Sequence, residues 1–199
     1  MKITGEKETE RILRKAGFQI VDSDFLTTKG QLEQVIIDFP WVMKIVSKEI
    51  IHKARAGGVI LDIDNIKQAE KAFDRLEKKP GFKGVLIQKQ MKNKGQELIL
   101  GLKDTKEFGL VIMLGSGGTK VEEEQDISFR VLPIDEKQAR SMIEDLDIDI
   151  SNKKLVVENL LMLNKLAKKY PLIQELDINP LIVNKKEAII VDARAVLLS

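Results

Sequence analysis

Apolar residues recur along this chain in two rhythms, and the switches between them mark its elements. The helical rhythm appears first at residues 6–16 (EKETERILRKA), where Gly17 supplies a natural stop. It predicts a second amphipathic helix over 28–39 (TKGQLEQVIIDF), ended by Pro40. Over 64–79 it sets Ile66, Ala69, Ala72, Phe73 and Leu76 on one stripe. Two late helices follow, 135–146 with Asp135 and Gln138 as a capping pair, and 151–170, the longest. The strand rhythm predicts strands at 18–21, 41–47, 58–63 and 84–91, then a hairpin of 97–102 with 109–114 around KDTKEF. Strands at 127–132, IQELDINPLIV and EAIIVDARAVL complete the set. Helices and strands are interspersed with hairpins rather than regularly alternating, which predicts an α+β (mixed α/β) fold, not a doubly wound sheet. No internal repeat and no low-complexity segment interrupts it. The polar stretch QKQMKNKGQ divides one domain, 1–199, into expected lobes of 1–90 and 91–199.

Composition narrows the function classes. The 199 residues include 33 basic and 31 acidic side chains, a net charge of +2, with one Trp and one Tyr. That describes neither the basic face nor the stacking platform of a nucleic-acid binder. No run approaches the ~20 apolar residues of a membrane span, and the N-terminal MKITGEKETERILRK has no apolar signal core. The expectation is therefore a cytoplasmic protein without a membrane or nucleic-acid partner. With no cysteine and one histidine, a metal site would be built from oxygen donors, which favours Mg²⁺.

The C-terminal hairpin places candidate donors. Alternation in ELDINPLIV sets Leu176 and Ile178 on one face and Asp177 and Asn179 on the other. A hairpin centred on Lys185-Lys186 pairs Asn184 with Glu187 and Val183 with Ala188. Continued, it sets Asn179 opposite Asp192, close enough for two oxygen side chains to share one hard cation. The same pattern also suits a polar face open to water. Pro180 donates no ladder bond and requires an edge, an opening or a bulge. Lys44 stands on a largely apolar strand face with Val42 and Val46, so it either holds an anion such as phosphate or snorkels at a sheet margin. Gly57-Gly58 and Gly117-Gly118 offer backbone amides to an anion or simply make turns. His52, the lone histidine, lies beside Lys53 and near Arg55, and is either a satisfied structural residue or a reacting one.

Taken in order, PWVMKIVSKEIIHKARAGGVIL, GVLIQKQ, ELILGLKDTKEFGLVIMLGSGG, DISFRVLPID and ELDINPLIVNKKEAIIVDARAVL resemble the ATP-grasp subunit of the NDP-forming acyl-CoA synthetases. The ADP-forming acetyl-CoA synthetases are the nearest branch, and succinyl-CoA synthetase is more distant. The resemblance implies an ATP-grasp fold, with ATP or ADP held between two lobes. It makes Lys44 the nucleotide-phosphate lysine. It sets Gln88, Lys89 and Gln90 where the adenine is framed and Glu97 near the nucleotide. It makes Asn179 and Asp192 the Mg²⁺ ligands, with Asp177 as a third candidate. It makes His52 a carrier of phosphate between a partner-subunit histidine and the nucleotide, with Lys53 and Arg55 stabilising the phosphorylated imidazole. Gly57, Gly58, Gly117 and Gly118 remain phosphate-loop candidates. The implied function is that of the nucleotide-binding subunit of an ADP-forming acetate–CoA ligase. It would work in a hetero-oligomer with a CoA-binding alpha subunit. Two features depart from that family: Ala54-Arg55 stands where a Ser-Asp pair is usual, and the segment 146–152 between the late helices is short. The alternative is a non-catalytic nucleotide-binding regulatory or assembly module.

Overall fold

The structure, a computed structural model, describes residues 2–3, 6–50, 53–91, 95–118 and 126–198. In order they form β1 (Lys2–Ile3), α1 (Glu6–Lys15), β2 (Ser23–Leu26), a 3-10 turn (Lys29–Gln34), β3 (Trp41–Ser47), β4 (Val59–Ile63) and α2 (Ile66–Glu77). They continue with β5 (Phe82–Lys89), β6 (Gln96–Thr105), β7 (Gly109–Ser116), β8 (Ile127–Val131), α3 (Glu136–Glu144) and α4 (Lys153–Lys169). The last strands are β9 (Ile173–Val183), β10 (Ala188–Ile190) and β11 (Ala193–Leu197). No helix among the described residues is long and apolar enough to cross a membrane.

The chain divides into two compact units, Val21–Lys92 and a larger one of Met1–Ile20 with Asn93–Ser199. Residues 1–20 thus belong with the C-terminal part, not with the lobe 1–90 expected from the sequence.

The smaller unit is an antiparallel sheet in the order β2-β5-β3-β4. The stripe Ala69, Ala72, Phe73 and Leu76 of α2 joins Met43, Ile45, Val85 and Ile87 in one core. Asn65 starts that helix by accepting a hydrogen bond from the Gln68 N–H at 3.1 Å.

The larger unit orders its strands β1-β11-β9-β6-β7-β8, with β10 also paired to β9. Helices α1, α3 and α4 share a core with one face of that sheet, including Leu98, Leu100, Ile112, Leu176 and Ile178. The opposite face carries the polar residues considered below. Asp135 and Gln138 form the expected capping box. The Asp135 carboxylate accepts from the Gln138 N–H at 2.7 Å, and the Gln138 amide oxygen accepts from the Asp135 N–H at 2.9 Å. Asp135→Ala should cost about 1 kcal/mol, read as a lower denaturant midpoint; an unchanged midpoint would show that this cap carries no stability.

Two expected elements differ. The helix over 28–39 is only the 3-10 turn, and Val35 is already extended (φ −70, ψ 122). The β-branched run Val35-Ile36-Ile37 resists the helix, and Pro40 excludes helical backbone at Phe39. The indole of Trp41 donates to the Ile37 carbonyl at 2.7 Å, holding the segment open. The strand over 18–21 reduces to one parallel bridge, Ile20 with Ile190, although Phe18 and Ile20 are buried as their apolarity requires.

Candidate functional site

The residues singled out by the sequence fall into two sets, one in each unit. In the smaller unit, Val42 opposes Gln88, and Lys44 opposes Leu86 on one side and Val59 on the other. Directly opposed residues project from the same face, so Lys44 and Gln88 share a face as diagonal neighbours. Both are buried, at 8% and 3% exposure, on the face away from the α2 core. A lysine rising between Leu86 and Val59 has little water to hydrate its ammonium and is suited to an anionic partner. Gln90 follows Gln88 on that face, its N–H donating to the Pro40 carbonyl at 2.8 Å. Lys89 does not join them. It opposes Trp41 on the core side, and its ammonium meets the Asp38 carboxylate at 3.3 Å. Alternation along β5 turns this side chain to the other face of the sheet.

The turn that leads into β4, residues 53–58, closes on itself. The Gly58 N–H donates to the Lys53 carbonyl at 2.7 Å and the Gly57 N–H to that of Ala54 at 3.1 Å, while the Lys79 ammonium donates to Ala56 O at 2.7 Å. Both glycine amides are spent inside the turn, so they do not form the anion cradle entertained from the sequence. Glycine is required here for space: a Cβ on Gly58 would lie 2.6 Å from Ile45 Cγ2 and 3.0 Å from Lys53 O. Lys53 is half-buried and Arg55 exposed. His52 lies outside the described residues.

In the larger unit, the Gly117 N–H donates to the Glu97 carbonyl at 2.7 Å. A Cβ on Gly117 would sit 2.7 Å from that carbonyl's carbon and oxygen, so the chain approaches β6 closely enough to admit only glycine. Gly118 (φ +96) follows beside the Glu97 carboxylate. Two separate expectations, an acidic residue and a glycine pair, therefore meet in one place. Gly117-Gly118 packs closely against Glu97, and the Gly117 amide is spent on the Glu97 carbonyl.

The hairpin register is the expected one from Val183–Ala188 out to Glu175–Val196, and shifts by one residue at Leu197. Ala188 pairs with Val183 and Ile190 with Leu181, and beyond the hairpin Ala193 pairs with Ile178 and Arg194 with Asp177. Between them the Asn179 N–H donates to the Asp192 carbonyl, and the Val191 N–H to that of Pro180, both at 3.0 Å. Asn179 and Asp192 thus stand opposite each other. Pro180 occupies the bulge it requires, because β6 advances from Leu98 to Leu100 while β9 steps from Leu181 to Ile178. The sequence reading missed Arg194. It faces Asp177 directly, a pairing present in the same hairpin numbering. Asp177 itself is exposed, yet its carboxyl is pushed above the ordinary range. Loss of hydration is the main cause, reinforced by the Glu175 and Asp192 carboxylates and opposed by Arg194. No cluster of three histidine or acidic side chains suited to a metal occurs among the described residues. An amide oxygen at Asn179 and a carboxylate at Asp192 nevertheless match Mg²⁺, which takes one or two carboxylates and leaves its remaining positions to water and phosphate.

A family model described as an ATP-grasp domain matches residues 1–197. The chain is 35% identical to an Archaeoglobus fulgidus acetate–CoA ligase [ADP-forming] II over 96% of its length, but spans only 30% of that protein. It is 34% identical to the Pyrococcus furiosus acetate–CoA ligase [ADP-forming] I subunit beta, covering 96% of this chain and 90% of that subunit. Among solved structures, the dinucleotide forming acetyl-coenzyme A synthetase 1 of Ca. Korarchaeum cryptofilum, in complex with coenzyme A and Ca-AMPCP, matches with a TM-score of 0.91 at 28% identity. That match covers 99% of this chain and 94% of the other. Another structure of the same enzyme holds coenzyme A and Mg-AMPPCP, with a phosphohistidine segment pointing towards the nucleotide binding site (TM-score 0.85, 28% identity, 99% and 93% covered).

Proposed function

The chain belongs to the ATP-grasp domain family, and on that footing we propose that it is the nucleotide-binding part of an ADP-forming acyl-CoA synthetase. It works with a CoA-binding partner subunit in interconverting acyl-CoA, ADP and phosphate with free acid, CoA and ATP. The observation that carries this reading is the juxtaposition of Asn179 and Asp192 by the β9 hairpin, two hard oxygen donors on one sheet face. The near end-to-end match to a Pyrococcus furiosus beta subunit supports the division of labour with a partner.

Asn179 and Asp192 would hold Mg²⁺, with Asp177 as the third candidate, and the ion would offset phosphate charge. Lys44 neutralises a phosphate oxygen from its apolar strand face. Gln88 and the backbone of residues 88–90 frame the base. Glu97 stands near the nucleotide. In one direction the His52 imidazole takes the terminal phosphoryl of ATP. A P–N bond forms as the P–O bond to ADP breaks, and the ring proton goes to solvent. In the other direction ADP takes the phosphoryl back. A neutral imidazole suits this task near pH 7, and Lys53 and Arg55 would stabilise the dianion. The Korarchaeum structure with its phosphohistidine segment directed at the nucleotide site supports the relay.

The test is incubation with γ-labelled ATP and Mg²⁺, with and without a CoA-binding partner subunit. The expected result is acid-labile, base-stable label on this chain. Nucleotide binding without label under either condition would sink the relay and favour the non-catalytic module.

A further inference from the structure

We propose that Asp62 is a positioning residue for the nucleotide base, acting through Gln90. The inference rests on the nucleotide-binding reading above and deepens it. Asp62 has φ +56 and is the only non-glycine with positive φ among the described residues. Aspartate is one of the few side-chain-bearing residues that visits this region, and a backbone held there asks for a reason. The local cause is a bulge. Trp41 pairs with Ile63 and Met43 with Ile60, so Leu61 and Asp62 together oppose Val42. Such a bulge re-aims the groups it displaces.

What Asp62 is aimed at is Gln90. The Asp62 N–H donates to Gln90 Oε1 at 2.7 Å, and Gln90 Nε2 donates to Asp62 Oδ1 at 3.0 Å. Asp62 lies on β4 and Gln90 just past the end of β5, and β3 lies between those two strands. Gln90 therefore reaches across β3, and its own N–H is tied to Pro40 on the way. Both ends of its side-chain amide and its backbone donor are committed. The resemblance sets Gln90 where the adenine is framed; the structure gives its side chain to Asp62. The pair clamps the chain where it leaves β5, so the backbone beyond Gln88 is presented in one conformation. A preorganised segment binds a base without the cost of ordering it.

The experiment uses the full chain and calorimetric titration with Mg-ATP and, separately, Mg-tripolyphosphate. The tripolyphosphate carries the phosphates without the base. Asp62→Gly keeps the left-handed turn without strain and removes the carboxylate, and Gln90→Ala removes the other partner. Gln90→Ala, which removes both hydrogen bonds, should weaken Mg-ATP binding about tenfold, and Asp62→Gly, which keeps the backbone N–H bond to Gln90 and loses only the carboxylate, should weaken it by less. The double variant should be no weaker than Gln90→Ala, because that single change already removes every bond the two residues share. Asp62→Asn tolerates the same backbone and retains an Oδ1 acceptor without the charge, so its affinity should lie between those of Asp62→Gly and wild type. Mg-tripolyphosphate affinity should stay constant in every variant. Unchanged Mg-ATP affinity in both single variants would overturn the inference. Equal losses for ATP and tripolyphosphate would also overturn it, by showing a general structural effect. A wild type that binds tripolyphosphate but not ATP, or neither, overturns the nucleotide-binding reading and the inference with it. A wild type that binds both while the variants follow it overturns the inference alone.

Discussion

His52→Ala should abolish the acid-labile label and lower acyl-CoA-dependent ATP formation by at least about 10³-fold, the scale of losing a covalent nucleophile. Lys53 and Arg55 follow the histidine in the sequence, but an ammonium and a guanidinium are poor nucleophiles and do not replace a neutral imidazole. Nucleotide affinity should change little, because the proposed binding groups lie elsewhere: Lys44 and Gln88 on the smaller sheet, Asn179 and Asp192 on the larger. This split between binding and transfer separates a relay from a structural histidine. A structural residue would lower both together, through stability. Label persisting on the His52→Ala protein would place the phosphoryl group on another residue.

The second large effect concerns Asp192. Asp192→Ala should weaken nucleotide binding in the presence of Mg²⁺ by about 10- to 100-fold, the loss expected when a charged partner is removed. In excess chelator, wild type and variant should bind alike. The fold offers a control. It is the backbone carbonyl of Asp192, not its side chain, that accepts from the Asn179 N–H. Alanine retains that bond, so the sheet register should survive and the denaturant midpoint should move little. Asp192→Asn keeps an oxygen donor but loses the charge, and should fall between the two. Equal Mg²⁺ dependence in wild type and Asp192→Ala would remove this carboxylate from the metal site.

The same hairpin shows what could be read from the chain in advance. Its loop, Asn184 to Glu187, leaves one sensible centre, and alternation of Leu176 and Ile178 with Asp177 and Asn179 fixes which face is buried. Register then follows by counting, and it carries correctly across the break at Val191-Asp192. The α3 capping box was legible for a similar reason, since its partners are three residues apart. The region 28–39 misled because Leu32, Val35, Ile36 and Phe39 mimic a helical stripe. Periodicity does not register that Ile36 is 96% exposed or that Trp41 claims the Ile37 carbonyl. The glycine pairs were ambiguous for a different reason. Their sequence is compatible with anion binding and with close packing, and the turn bonds of Gly57 and Gly58 become visible only once Lys53 and Ala54 are placed. Asp62 could not be found by pattern, because in GVILDI it looks like a polar residue at the end of a strand. Its meaning depends on a bulge and on a partner across another strand, neither of which leaves a periodic trace. The assignment of residues 1–20 to the larger unit was hidden likewise, since β1 and α1 find their partners at the far end of the sequence.

That last feature bears on how the protein is made. On a ribosome, all four strands and the helix of the smaller unit emerge as one uninterrupted stretch, so this unit can fold early. β1 and α1 have emerged before it, yet β1 pairs only with β11, and Ile12, Leu13 and Phe18 wait for the core of the larger sheet. The larger unit closes only once residues 193–197 have been synthesised. Contacts of such long range form slowly, and apolar surface left uncovered meanwhile is where aggregation begins. The first helix, with Ile12 and Leu13 on its buried face, thus stays uncovered until the last strand is made, and is a place where a chaperone has apolar surface to protect.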